Sequence, residues 1–173
     1  MRWLLWLPLA LFALIIAVVM SGLIHPASTD IRSQLVGKPL PEFALPAGVP
    51  SHPPLAKADL RGGPRLINIF ASWCLPCAVE APQLMVLKRA GVVIDGIAIR
   101  DRPEDLAAFL ARYGDPYSRI GSDANSRVQL ALGSSGVPES FVVDGRGVIR
   151  LQHIGDIREE NIPTILAAIE AAK

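Results

Sequence analysis

The chain of 173 residues holds two cysteines, Cys74 and Cys77, with two residues between them in "ASWCLPCAVEAP". Thiols so placed admit a structural staple, half of a metal site, or a pair that moves electrons. The staple is weak, because a bridge closing so short a loop restricts the unfolded chain far less than a ~15-residue loop worth about 3 kcal/mol. A metal site would need further ligands such as His52 and His153, which lie far from the pair in sequence. The redox reading has a direct physical logic. Cys74 at or just before the first turn of a helix meets free N–H groups and the positive end of the dipole, which stabilise a thiolate. One turn on, Cys77 can resolve the mixed disulfide that Cys74 forms. Cys74 is therefore the expected nucleophile, exposed and of low pKa. Pro76 lacks an N–H, which that early position tolerates. Glu80, one turn beyond Cys77, lies on nearly the same helical face. No H-E-x-x-H, G-x-S-x-G or G-x-x-x-x-G-K-[ST] pattern offers competing chemistry.

The elements that must hold the pair can be read around it. "RLINIF", Arg65 to Phe70, fits a buried strand, and Trp73 to Arg89 reads as the helix that follows. "VVIDGIAI", Val92 to Ile99, is a second buried strand. Pro103 then opens a helix with acids in its first turn, Leu106, Phe109 and Leu110 on one face, and Gly114 as its stop. "ESFVVDGRGVIRLQHIG" is a strand and hairpin turning at Asp144 to Gly147, and Asn161 to Lys173 closes the chain as a helix. Before these, Phe43 and Leu45 alternate as in a short strand. Pro46, Pro50, Pro53 and Pro54 preclude a central strand or helix between them. Strands alternating with helices and ending in an antiparallel hairpin indicate a single α/β or α+β domain on a mixed sheet.

Composition supports one such domain plus an appendage: 51% of residues are hydrophobic and 19% charged. The appendage runs from Trp3 to Met20 without a charge and stays apolar through Leu23 and Ile24, long enough to span a bilayer. A cleaved signal peptide is the competing reading, since Arg2 precedes the run and "HPAS" follows it, but its apolar region is usually about 7 to 15 residues. Residues 1–24 are thus read as a transmembrane anchor, 25–38 as a polar tether and 39–173 as the folded domain. Arg2 and the amino terminus favour a cytoplasmic start, against Arg32 and Lys38 beyond the run. The chain has 17 Lys and Arg, one of them Arg2, and 16 Asp and Glu. That balance past the anchor gives no reason to expect a nucleic-acid partner.

"WCLPC" after "LINIFAS", Pro82 beyond the pair, and "GVP" at Gly136 to Pro138 before "SFVVDGRG" together resemble a thioredoxin-fold domain. Within that superfamily "LVGKPLPEF", "ADLRGGP", "DRPEDLAAFLARYGDPY", "GVPES" and "IRLQHIG" are similar to the membrane-anchored thiol:disulfide interchange proteins of cytochrome c maturation, the CcmG/DsbE type. The resemblance implies a thioredoxin-like mixed sheet flanked by helices and a single-pass inner-membrane protein with its domain in the periplasm. It implies a reductant of apocytochrome c cysteines whose partner is apocytochrome c or its maturation factors, recharged by a membrane thiol electron donor of the DsbD/CcdA type. No cofactor beyond the redox-active disulfide Cys74–Cys77 is implied, and no metal. A general envelope thiol reductase is the alternative closest to this. A thioredoxin-fold copper-delivery protein is the alternative from another class, although such proteins usually separate their cysteines by three residues.

The resemblance also assigns roles. It implies that Glu80 belongs to the active-site environment, where a partly buried carboxylate could exchange the proton of Cys77; the plainer alternative is an exposed helix acid. Asn68 occupies the place where thioredoxins usually carry a buried Asp, which leaves proton transfer to Glu80. Trp73 is expected on the exposed rim of the pair. A cis Val137–Pro138 bond is implied opposite the cysteines, with the Val137 backbone pairing with an extended substrate in strand-addition fashion. Glu139 is expected in an acidic rim that selects substrates. Ser140 departs from the commoner Thr, and "LGSS" lacks an aromatic often found before the Gly.

Overall fold

A computed structural model describes residues 6–24 and 35–173, in two units, Met1–Asp30 and Ile31–Lys173. In the first unit α1, Leu7–Ile24, is an 18-residue helix without a charged residue in its first or last turn. At ~1.5 Å per residue it extends roughly 27 Å, against a hydrocarbon core of about 30 Å. Among the described residues no helix is long and apolar enough to cross a membrane. The start of the expected anchor, residues 1–5, and most of the expected tether, residues 25–34, lie outside the described residues.

The second unit is built on a five-stranded sheet of order β5-β4-β3-β6-β7. Its strands are β3 Arg65–Phe70, β4 Ile94–Ile99, β5 Arg119–Asp123, β6 Glu139–Val143 and β7 Ile149–Ile154. β3, the apolar "RLINIF" run, lies at the centre and is parallel to β4 and antiparallel to β6. The chain crosses from β3 to β4 through α2, Leu75–Arg89, and from β4 to β5 through α3, Pro103–Tyr113. Pro103 opens α3, Glu104 and Asp105 fill its first turn, and Gly114 ends it at φ 99°, a conformation that favours glycine. A short α4, Arg127–Ala131, precedes β6, and α5, Ile162–Ala171, closes the chain. The mixed sheet with flanking helices is the α/β arrangement the resemblance implied.

Alternation along β3 decides what faces what. Asn68 reaches Glu80 on α2, and the Phe70 ring lies 6.0 Å from that of Phe109 on α3, so these two residues share a face with the helices. On the other face a two-stranded hairpin, β1 Ala44–Leu45 and β2 Leu55–Ala56, packs on β5. A Cβ at Gly121 would stand 2.8 Å from Leu45 Cβ and 3.0 Å from Leu55 Cβ. The hairpin can approach β5 so closely because no side chain stands there. Both outer strands are also covered by chain: Ser122 N–H donates to Pro46 O at one edge, and Gly37 N–H to Ile149 O at the other.

Element by element, the helix expected from Trp73 begins at Leu75, the strand expected from Val92 begins at Ile94, and the last helix spans Ile162–Ala171. The short strand at Phe43 and Leu45 is Ala44–Leu45, and the proline-rich segment connects it to its partner. β2, β5 and α4 were not foreseen.

Candidate active site

β3 delivers the chain to the site and α2 carries it away. Cys74 is the residue capping α2, with extended φ/ψ of −88° and 108°. Its Sγ accepts the Cys77 N–H at 3.2 Å, taking up one of the free donors that every helix start presents. Cys74 and Cys77 form a disulfide with a Cα–Cα separation of 5.3 Å. Cys74 is 5% exposed and Cys77 2%. The expected exposed thiol is therefore not an open one in this oxidised form, in which both sulfur-bearing residues are buried. What stands out into solvent is the apolar rim: Trp73 at 58% and Leu75 at 75%.

The loop before the pair is tied to the segment following β4. The Ser72 N–H and hydroxyl each donate at 2.6 Å to the Asp101 carboxylate, and Trp73 Nε1–H donates to Arg100 O at 3.3 Å. Trp73 therefore sits on the rim in a held position. Arg100 went unnoticed in the sequence, and Asp101 stood there only as the first residue of the quoted "DRPEDLAAFLARYGDPY", with no role of its own; the place of both just past the carboxyl end of a parallel strand is a signal for one.

Below the pair, Cys77, Glu80, Ala81, Leu84 and Leu87 form the buried stripe of α2. Glu80 is fully buried, so the reading of an exposed helix acid does not hold. Its Oε1 accepts from Asn68 Nδ2 at 2.9 Å and its Oε2 from the Ile157 N–H at 3.0 Å. Burial pushes its carboxyl up to about 7; the Ile157 and Asn68 hydrogen bonds oppose this, and the charge of Asp156 adds to it. Asn68 is fully occupied, with Nδ2 also donating to Ser140 Oγ at 3.0 Å and Oδ1 accepting from the buried Tyr117 hydroxyl at 2.7 Å. Burial, followed by the charges of Glu80 and Asp115, raises the Tyr117 hydroxyl well above its ordinary range. The sequence carries Tyr117 only as the last residue of the family-like "DRPEDLAAFLARYGDPY" and assigns it no role.

The Val137–Pro138 peptide bond is cis. No hydrogen bond among the described residues engages the Val137 N–H or C=O, while Pro138 O accepts from the Gly155 N–H at 3.1 Å. Glu139 corrects the sequence reading. It is fully buried, accepts from the Ser135 N–H at 3.0 Å and is hydrogen-bonded by Gln152, so it forms no exposed acidic rim. Its place in β6, paired on both sides by β3 and β7, accounts for the burial.

Neither His52 nor His153 joins the pair. His52 Nε2 lies 3.2 Å from Asp115 Oδ2, and His153 Nε2 lies 3.3 Å from Asp156 O. Among the described residues no group of three or more His, Cys, Asp or Glu could hold a metal ion. A cavity of about 410 Å³ flanks the rim between Ser72, Trp73 and the α3 residues Asp105, Phe109, Arg112 and Tyr113. A larger one, about 500 Å³, lies between Pro41–Pro46 and the β5–α4 region and touches neither cysteine.

The Redoxin family model matches residues 35–169. The thiol:disulfide interchange protein DsbE of Pseudomonas fluorescens biotype C is 42% identical over 159 residues, covering 91% of this chain and 88% of that protein. The thiol:disulfide interchange protein HelX of Rhodobacter capsulatus is 44% identical over 130 residues, 74% of this chain and 73% of its own. A Chlorobium tepidum crystal structure described as a thiol:disulfide interchange protein DsbE superposes with a TM-score of 0.66 at 25% identity, covering 83% of this chain and 99% of that one. Its fold, its bonded cysteine pair and these relatives agree: the chain is a thiol:disulfide oxidoreductase and belongs to the DsbE and HelX family of thiol:disulfide interchange proteins, within the redoxins.

Proposed function

We propose that the protein is a membrane-anchored periplasmic reductant that keeps apocytochrome c cysteines reduced for haem attachment. The observation that carries the chemistry is the Cys74–Cys77 pair at the start of α2, with the fully buried Glu80 one turn behind it. The DsbE and HelX relatives support the thiol:disulfide interchange, and the cytochrome c pathway is what the family resemblance implies. For the anchor, the support is the uncharged helix α1 within an apolar run that begins in the sequence at Trp3. The domain then lies on the periplasmic side of the inner membrane.

In the reduced enzyme the Cys74 thiolate attacks one sulfur of a substrate disulfide. A Cys74–substrate bond forms, the substrate S–S bond breaks, and the departing substrate thiolate takes a proton from solvent. Cys77 then gives its proton to Glu80 and attacks Cys74 Sγ, releasing the second substrate sulfur, which is protonated in turn. The substrate gains two electrons and two protons, and the enzyme is left with its own disulfide. A membrane thiol donor of the DsbD/CcdA type restores the dithiol by the same exchange in reverse. The disulfide itself is the redox centre, and no added cofactor enters. Trp73 is the exposed neighbour of the attacked sulfur, and the Val137 amide groups, unengaged among the described residues, receive an extended peptide edge to edge in this reading, next to Pro138.

Replacing Cys77 by Ala removes the resolving thiol, so the Cys74 mixed disulfide accumulates. Mass spectrometry of the species captured in envelopes should then identify apocytochrome c. A collection of unrelated envelope proteins without a cytochrome c would instead favour a general reductase.

A further inference from the structure

The Asn68 amide can face Glu80 in either of two ways, and they have opposite effects on the carboxyl. With Nδ2 toward Glu80, as here, the amide donates to Oε1 and favours the ionised form; with Oδ1 there, it would favour the protonated form by accepting its hydrogen. Ser140 does not decide between them, because a hydroxyl can accept from Nδ2 or donate to Oδ1. Tyr117 does decide. Its hydroxyl donates to Oδ1 at 2.7 Å, and its ring is stacked 4.5 Å from that of Phe70, which places the oxygen; the hydroxyl can also accept, but Asn68 Oδ1 is the acceptor its own hydrogen has among the described residues. Turning the amide over would bring Nδ2 against this hydroxyl, which could accept from it only by leaving its own buried hydrogen without the Oδ1 acceptor.

We propose that Tyr117 is a positioning residue for thiol exchange: through Asn68 it holds an N–H donor on Glu80 and thereby keeps that carboxyl able to accept the Cys77 proton. The inference rests on the proposed role of Glu80, but its first measurement does not depend on that role. The other ionisable groups around Glu80 are Cys77 on its own helix and Asp156 on the segment after β7, which is paired with Arg158 at 2.9 Å and contacted by His153 through its carbonyl. Asp115 acts on Tyr117. All of these are retained when Tyr117 is changed, so their own titrations cancel in the comparison.

The test is the titration of the Glu80 carboxyl carbon by NMR in the oxidised full-length protein and in Tyr117→Phe, with Glu80→Gln assigning the resonance. The expected result is a rise of the midpoint in Tyr117→Phe by roughly one pH unit, about tenfold in proton affinity, as the freed amide turns Oδ1 to the carboxyl. An unchanged midpoint overturns the proposal. A lowered midpoint does so as well, since it would mean that the hydroxyl only kept water out. A second variant keeps the test sound if Tyr117→Phe does not fold. In Ser140→Ala, Tyr117 still holds the amide and the Glu80 midpoint should stay within a few tenths of a unit; a rise of one unit would mean that Ser140 holds it, and the proposal fails. The pH profile of reduction by Tyr117→Phe separates the two levels. If the midpoint rises and the profile does not follow, Tyr117 still orients Asn68, but Glu80 is not the proton acceptor of the exchange.

Discussion

Changing Glu80 to Gln should remove a pH dependence that one buried carboxyl imposes on stability. In the folded protein Glu80 holds its proton to about pH 7, whereas a carboxyl free in the unfolded chain releases it near 4.5. Between those values the folded state binds more protons than the unfolded one, so the free energy of unfolding falls as pH rises through this window. Summed from pH 5 to pH 8, the single group costs the folded state about 2.5 kcal/mol. Gln keeps the size and one acceptor, but turns an NH2 toward either Asn68 Nδ2 or the Ile157 N–H. That mismatch costs about 1–3 kcal/mol at every pH. The readout is accordingly the slope and not the offset. Urea unfolding of the oxidised wild type and Glu80→Gln at pH 5 and pH 8 should show the variant gaining about 2.5 kcal/mol relative to wild type between the two. Parallel behaviour of the two proteins across that range would refute the reasoning, because it would mean that the folded carboxyl titrates like an unfolded one. The same variant should lose the step near pH 7 in its rate of disulfide reduction.

At the β6–β7 turn the sign is opposite. Burial acts to raise the Asp144 carboxyl, but the Val148 N–H, the Arg150 side chain and the Arg146 N–H together bring it down to about 2. Its stabilisation is therefore present above the ordinary value of 3.8 and is lost as pH falls toward 2. Asp144→Asn should cost about 1–3 kcal/mol in urea unfolding at pH 7, with the difference from wild type closing as pH approaches 2. Gly96→Ala should destabilise by about 1–3 kcal/mol, since its Cβ would stand 2.8 Å from Phe70 Cε1 and 3.0 Å from Tyr117 Cδ1. Thermal unfolding measures that loss, and an unshifted Tm would show that the two rings yield freely.

How far the sequence could be read depended on whether an element carries its own pattern. β3, β4 and α3 do: two apolar runs, and a helix with proline, acids and glycine at its ends. β5 does not. "RIGSD" offers a single large apolar side chain, Ile120, and it is a strand because β4 pairs with it on one edge and 46–48 on the other. α4 hides for a related reason. The Asp123 carboxylate takes the N–H groups of Arg127, Val128 and Gln129, four to six residues ahead, where no local capping pattern would look for it.

The same distinction divides the active site. Cys74, Cys77 and Glu80 lie along one helix, so a helical period of 3.6 residues is enough to bring their positions together. What sets the state of Glu80 comes from elsewhere: Asn68 is 12 residues away in sequence, Ile157 77 residues away, and Tyr117 reaches Asn68 across 49. Glu139 and Ser140 show how such distant pairing misleads a local reading. An acid beside a cis proline reads as surface, yet β6 is paired on both sides and Glu139 turns inward to Gln152. Ser140, which the sequence marks only as a departure from the commoner Thr, is the register partner of Asn68 and the second acceptor of its amide. A hydroxyl suits that place because it can serve the amide in either orientation, which leaves the choice to Tyr117, whose buried hydroxyl hydrogen has Asn68 Oδ1 as its acceptor.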